Sequence, residues 1–166
     1  MSRKIYLCGH GHIDPVWLWR WQDGVSEVLA TFESALNRMD EFKDFVFVSS
    51  SAQFYKWVEE TDTKMFERIK QRVKEGRFLI AGGWWVEPDC NMPSLESFIR
   101  QQLYGQNYFK EKFGIAAKVG MNPDSFGHCS ILPQVLKGGG IESYIFTRPG
   151  ESEKKIEDPL FLWKSH

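Results

Sequence analysis

Apolar residues along this chain alternate between short unbroken runs of β-forming side chains and longer stretches where they recur every three or four positions. Runs at residues 5–8, 45–48, 78–81, 117–121 and 144–146 predict five strands, and the run at 160–163 predicts the start of a sixth. After Asp23-Gly24, the spacing of Val25, Val28, Leu29, Phe32, Leu36 and Met39 predicts a helix. Residues 52–60 and 64–74 read as two further helices broken around 61–63, with Gly76 as a stop. Pro93-Ser94 opens another, with Leu95, Phe98, Ile99 and Leu103 at core spacing and Gly114 as its terminator, and a short helix follows at about 131–137. Strands and helices in alternation, with continuous apolar strands, imply an α/β fold: a mainly parallel β-sheet or an incomplete (β/α) barrel with helices on both faces. The whole of residues 1–166 is expected to be one domain, and the break within the sixth strand suggests that this domain is truncated.

Ligands in such folds gather at the carboxyl ends of the strands. Those ends carry His10-Gly11-His12-Ile13-Asp14, Ser49-Ser50-Ser51, residues 82–89, residues 122–128 and Thr147-Arg148-Pro149. His10, His12 and Asp14 fall at i, i+2 and i+4, so on a strand their side chains emerge on one side. Two imidazoles and a carboxylate suit a borderline ion such as Zn²⁺, with Co²⁺ or another divalent ion as substitutes. Asp124, between Pro123 and Gly127, sits on a tight turn that can aim its carboxylate at that ion; taken alone it could equally be an Asx turn or a helix cap. Acids, imidazoles, Trp, Phe and Arg on one rim are the composition of a sugar site, where aromatic faces stack on a pyranose.

Composition narrows the field. The chain has 166 residues, 42% of them hydrophobic, and a formal net charge of -1. The near-neutral balance argues against a nucleic-acid partner or an anionic membrane surface. Cys8, Cys90 and Cys129 are an odd set at wide spacings, which reads as reduced thiols rather than a disulfide framework. No signal-peptide or transmembrane run is visible, so a cytoplasmic location is expected.

Four blocks together resemble the class II α-mannosidases, the retaining enzymes of glycoside hydrolase family 38. They are Gly-His-Gly-His-Ile-Asp-Pro-Val-Trp-Leu-Trp at 9–19, Gly-Gly-Trp-Trp-Val-Glu-Pro-Asp at 82–89, Pro-Asp-Ser-Phe-Gly-His at 123–128 and Phe-Leu-Trp-Lys-Ser at 161–165. The resemblance implies the N-terminal part of the catalytic domain. It implies that His12, Asp14 and Asp124 bind zinc, that Asp124 also attacks the anomeric carbon, that Trp17 and Phe126 line the sugar subsite, and that Arg148 sits beside the nucleophile. A carboxylate next to a dication stays ionised as a nucleophile, and the cis O2 and O3 of mannose can chelate the metal. His10 is assigned to support the metal ligands from behind, and His128 either orients the Asp124 loop or satisfies buried backbone groups.

Glu87 and Asp89 read as structural, and Trp19, Trp84 and Trp85 as core. Gly138-Gly139-Gly140 lacks the Lys-Ser/Thr of a P-loop. The family's remaining zinc-binding His and its acid/base Asp have no matching motif in these residues, and His166 does not supply one. The expected function is hydrolysis of terminal α-linked mannose through a covalent glycosyl-Asp intermediate. A mannose-containing glycan is the partner, and homo-oligomerisation of the parent protein is left open. Two alternatives stand beside it: a metal-dependent amidohydrolase or phosphoesterase, which needs histidine ligands from later strands, and a non-catalytic carbohydrate-binding fragment.

Overall fold

A computed structural model describes residues 4–150, 152–155 and 158–165. The chain divides into two compact units, residues 1–49 with 54–80 and residues 50–53 with 81–166.

The first unit begins with β1 (Gly9–His10), α1 (Trp21–Glu41) and β2 (Phe47–Ser49). It continues through most of α2 (Ala52–Thr61), then α3 (Thr63–Lys74) and β3 (Phe78–Ile80). Its three strands form one parallel sheet in the order β1-β2-β3, with Gly9 opposite Phe47 and Phe47 opposite Phe78. Helix α1 starts two residues before Asp23 because the Asp23 carboxylate accepts the Arg20 backbone N–H at 3.1 Å, closing the first turn. Its buried stripe is Val28, Phe32, Ala35, Leu36 and Met39. Phe32 meets Phe47, Tyr55 and Phe78 with ring centroids 5.2–6.4 Å apart, the tilted contacts that aromatic quadrupoles favour. Asp62 ends the gap between α2 and α3 by accepting the Met65 N–H at 2.9 Å.

The first strand is shorter than the apolar run predicts. Pairing with β2 begins only at Gly9, so Ile5, Tyr6 and Leu7 lie outside the ladder and are 84–88% exposed. An apolar run becomes a strand only where a partner strand meets it.

The second unit holds α4 (Leu95–Phe113), β4 (Val119–Asn122), α5 (Leu132–Gly138) and β5 (Ser143–Phe146). The two strands pair in parallel, Val119 with Ser143 through Asn122 with Phe146. Ser94 caps α4 by accepting the Ser97 N–H, and Gly114 closes it in the left-handed region at φ 72°. The helix buries a different face from the one its leucines suggest: Phe98, Gln102, Gly105, Gln106 and Phe109 face inward, while Leu95, Ile99 and Leu103 are 46–52% exposed. Two residues explain this. Gly105 packs so tightly on residues 83–84 that a Cβ there would lie 2.4 Å from the Trp84 carbonyl carbon. The Gln106 amide donates to the carbonyls of Ala117 and Gly139 at 2.9 and 3.1 Å, and its oxygen accepts the Ala117 N–H at 2.9 Å, satisfying buried backbone that a leucine would leave unpaired.

The predicted sixth strand is absent among the described residues: Leu160 and Leu162 are 86% and 91% exposed, outside any ladder. The α/β class with parallel strands holds, as two parallel sheets and no closed barrel among the described residues. No helix among them is long and apolar enough to cross a membrane.

Candidate active site

In the first unit the site begins where β1 ends. His10 Nδ1–H donates to the Val48 carbonyl on β2 at 3.0 Å, which pins the imidazole to the sheet. Its Nε2 is buried with no hydrogen-bond partner among the described residues. Two residues on, His12 Nε2 lies 3.3 Å from Asp14 Oδ1, with the two side chains 32% and 40% exposed. Two donors of a tetrahedral zinc, each bonded at roughly 2.0–2.1 Å, are separated by about 3.3 Å, so the pair fits a shared ion. The loop is held from two directions. Trp19 donates its indole N–H to the Asp14 carbonyl at 3.2 Å, and Gly24 of α1 lies so close to Pro15 that a Cβ would approach its carbonyl oxygen to 2.2 Å. Trp17 is 65% exposed and presents its ring to solvent, and Trp19, at 37%, is not the core residue expected from sequence.

In the second unit β4 ends at Asn122, fully buried. The Trp84 indole donates to Asn122 Oδ1 at 2.9 Å, and Asn122 Nδ2 donates to the Pro88 carbonyl at 3.2 Å. Trp84 is therefore core, and its polar edge anchors the strand end. The turn at Pro123-Asp124 follows. Arg148, just past β5, meets Asp124 Oδ1 with Nη2 at 3.0 Å, and its guanidinium lies 5.1 Å from the centroid of the Phe126 ring. Phe126 is 66% exposed.

The loop carrying these groups is tied on both sides. The Thr147 hydroxyl donates to the Pro123 carbonyl, Asn91 Nδ2 donates to the Phe126 carbonyl at 3.2 Å, and the Cys129 N–H donates to the Cys90 carbonyl at 3.0 Å. Gly127, at φ 117°, is the residue that the Asn91 contact requires, since a Cβ would meet the Asn91 amide at 2.4 Å. His128 Nε2–H donates to the Arg148 carbonyl at 2.7 Å, and its Nδ1 meets the Tyr144 hydroxyl at 3.1 Å. Tyr144 in turn lies 3.7 Å from the Cys90 sulfur, which is 3.3 Å from the Ser125 hydroxyl. Burial raises both the Tyr144 phenol and the Cys90 thiol above their ordinary pKa, so both stay protonated as neutral partners. Cys8, Cys90 and Cys129 are all free thiols.

The two acids that the sequence reads as structural differ. Asp89 accepts the N–H groups of Asn91 and Met92 at 2.8 and 3.1 Å, an ordinary Asx turn. Glu87 Oε1 accepts the Asp124 N–H at 3.1 Å and so touches the turn that carries the candidate nucleophile. No spacing rule marks such a residue, because its partner is a backbone group that any residue type would supply.

The sequence model of the glycosyl hydrolases family 38 N-terminal domain matches residues 2–166. The chain belongs to glycoside hydrolase family 38. Among its relatives, alpha-mannosidase G of Dictyostelium discoideum is 39% identical over 162 residues, which cover 97% of this chain and 15% of that protein. Human alpha-mannosidase 2C1 is 38% identical over 144 residues, 87% of this chain and 14% of its own length. An alpha-mannosidase of Enterococcus faecalis V583 superposes with a TM-score of 0.75 at 21% identity, covering 84% of this chain and 16% of that one, which supports the fold. The chain thus spans about 15% of the length of the curated relatives it matches. Within this family 38 segment, the first unit brings His12 to Asp14, and the second brings Asp124, Phe126, Arg148 and His128 into one contact set. His166 lies outside the described residues.

Proposed function

We propose that these residues are the metal- and sugar-binding part of a retaining α-mannosidase that removes terminal α-linked mannose from glycans. The observation that carries this reading is the Asp124 carboxylate, held at 3.0 Å by Arg148 beside the exposed Phe126 ring on a loop fixed at both ends. His12, Asp14 and Asp124 would hold a zinc ion, with Co²⁺ or another divalent ion as substitutes; the donor types and the 3.3 Å spacing of the first pair fit it. When bound, the ion supplies a Lewis-acid anchor for the sugar's hydroxyls.

The remaining chemistry belongs to the chain. Arg148 orients the Asp124 carboxylate, whose oxygen forms the bond to the anomeric carbon as the glycosidic bond breaks. The leaving oxygen takes its proton from a second carboxylic acid, which retaining glycosidases place roughly 5–5.5 Å from the nucleophile. Trp17 and Phe126 give the pyranose apolar faces, and His10, fixed to Val48, supports the metal ligands from behind. His128, tied to Arg148 and Tyr144, orients the loop. Since both of its ring nitrogens are engaged, it is a poor metal ligand, which weighs against the amidohydrolase alternative. Three free thiols suit the cytoplasm.

Asp124→Asn in a family-length polypeptide carrying these residues tests the reading. The amide still contacts sugar but cannot form the glycosyl ester, so kcat is expected to fall by several orders of magnitude with the Kd of a mannose-like ligand changed far less. Near-wild-type kcat in this variant would move the nucleophile elsewhere. Trp17→Ala is expected to raise KM with kcat nearly unchanged, because stacking acts on ground and transition states alike. Metal content by elemental analysis should drop below one ion per chain in His12→Ala and Asp14→Ala, and unchanged content would remove both from the ligand set.

A further inference from the structure

We propose that Ser51 and Glu87 form a positioning relay for Asp124: the Ser51 hydroxyl fixes the Glu87 backbone, and the Glu87 carboxylate fixes the Asp124 backbone. The inference rests on reading Asp124 as the nucleophile, and it assigns work to two residues outside the ligand and sugar contacts.

Ser51 is the one residue other than glycine with positive φ among the described residues, at φ 70°. It is also buried, 1% exposed. A Cβ disfavours the left-handed region, so such a conformation persists where the surroundings over-determine it. The backbone alone would be better served by glycine, as at Gly82 and Gly83, each at φ 78°. What serine adds is its Oγ, which accepts the Glu87 N–H at 3.1 Å. The neighbouring chain is clamped to the same segment. Ala52 N–H donates to the Trp84 carbonyl at 3.0 Å, Gln53 N–H to the Trp85 carbonyl at 2.9 Å, and the Trp85 indole to Gln53 Oε1 at 2.9 Å.

With its main chain set in this way, Glu87 extends Oε1 to the Asp124 N–H at 3.1 Å. That N–H lies beyond the last ladder pair, Asn122 with Phe146, so the sheet does not hold it. A carboxylate acceptor makes the stronger, charge-assisted kind of hydrogen bond. It stops the turn from pivoting about Pro123, and the turn fixes the Cα from which the nucleophile projects. Displacements of about 1 Å at a reacting group cost up to roughly 10²-fold in rate, so a backbone anchor at this point acts on kcat.

The test uses a family-length polypeptide carrying these residues, with active sites counted by a fluorosugar that traps the glycosyl ester. Glu87→Ala is expected to lower kcat per active site by roughly 10- to 100-fold with much less change in KM. Glu87→Gln keeps an Oε1 acceptor and should restore most of that loss. Ser51→Gly separates positioning from folding, because glycine accepts φ 70° without strain yet removes Oγ: kcat should fall while Tm holds or rises. Wild-type kcat per active site in Ser51→Gly and Glu87→Ala would overturn the relay, even where Tm or the yield of trappable enzyme falls. Asp124→Asn, run in parallel, keeps the two readings apart. If it is inactive while both other variants turn over normally, the relay fails and the nucleophile stands; if it remains active, the nucleophile reading fails first.

Discussion

At the residue scale, glycine is required in this chain for two different reasons. Gly105 of α4 is needed for space: a Cβ would lie 2.4 Å from the Trp84 carbonyl carbon and 2.5 Å from the Gly83 oxygen, both backbone atoms that cannot swing aside. Gly105→Ala is therefore expected to cost at least the roughly 1–3 kcal/mol of core overpacking, seen as a lower denaturation midpoint. Gly114 is needed for conformation, since nothing lies within 4 Å of its missing Cβ at φ 72°. Gly114→Ala should cost about 1–2 kcal/mol, the penalty of the left-handed region alone. The same distinction explains what could be read at the site from sequence. His12, Asp14, Asp124 and Arg148 stand out because their side chains are of the types that the proposed chemistry calls for. Glu87 and Ser51 do not, because each acts on a backbone N–H that leaves no mark on its own residue type.

At the element scale, α1 and α3 are joined by a ladder of ion pairs. Arg68 donates to both Glu33 oxygens at 3.0 Å and to Asp40 at 3.0 Å, and Arg72 bridges Asp40 and Glu75. The hydrogen bond from Arg72, reinforced by Arg68, holds the Asp40 carboxyl below its ordinary value. A depressed folded-state pKa means that this contribution is complete above the unfolded carboxyl's pKa of about 3.9 and is lost as pH falls through the lower folded value. The pairs are solvent-exposed, so the effect is modest and weakened by salt. Asp40→Asn should lower Tm slightly at pH 6 and flatten the loss of Tm between pH 5 and about pH 3, as measured by thermal melts across pH. Helix ends were legible for local reasons, with Asp62, Ser94 and Gly114 all acting as caps or stops where the pattern places them. The face of α4 and the extent of β1 were not, because a partner settles both: the carbonyls that Gln106 must satisfy, and the edge of β2.

At the scale of the whole molecule, the 166-residue polypeptide by itself carries a candidate nucleophile but no residue matched to the acid that a retaining mechanism also needs. With Zn²⁺ or Co²⁺ added, it is expected to show no sustained hydrolysis of an activated aryl α-mannoside. Metal-dependent turnover would place the acid within these residues, with Glu87 the first to test. Leu18, Leu160 and Leu162 are each 86–91% exposed, and Leu95, Ile99 and Leu103 add an apolar stripe along α4. An exposed apolar stripe such as the one along α4 promotes association. Sedimentation of this polypeptide should show concentration-dependent self-association that Ile99→Glu with Leu103→Lys reduces.

The contacts of His128 also set a direction for protons. A carbonyl oxygen has no hydrogen to offer, so in the neutral ring the proton resides on Nε2, facing Arg148, and Nδ1 is left with a lone pair. Tyr144 must then donate to Nδ1, while the Cys90 S–H has an acceptor of its own in the Pro88 carbonyl at 3.6 Å. The two donors point one way, from phenol to imidazole to the Arg148 carbonyl, and each bond polarises the next. Tyr144→Phe would remove the donor to Nδ1 and leave that lone pair without it, while the Arg148 carbonyl still holds the proton on Nε2. In the ¹⁵N spectrum of the ring, the two well-separated nitrogen resonances should then move further apart, because the unprotonated Nδ1 loses its donor.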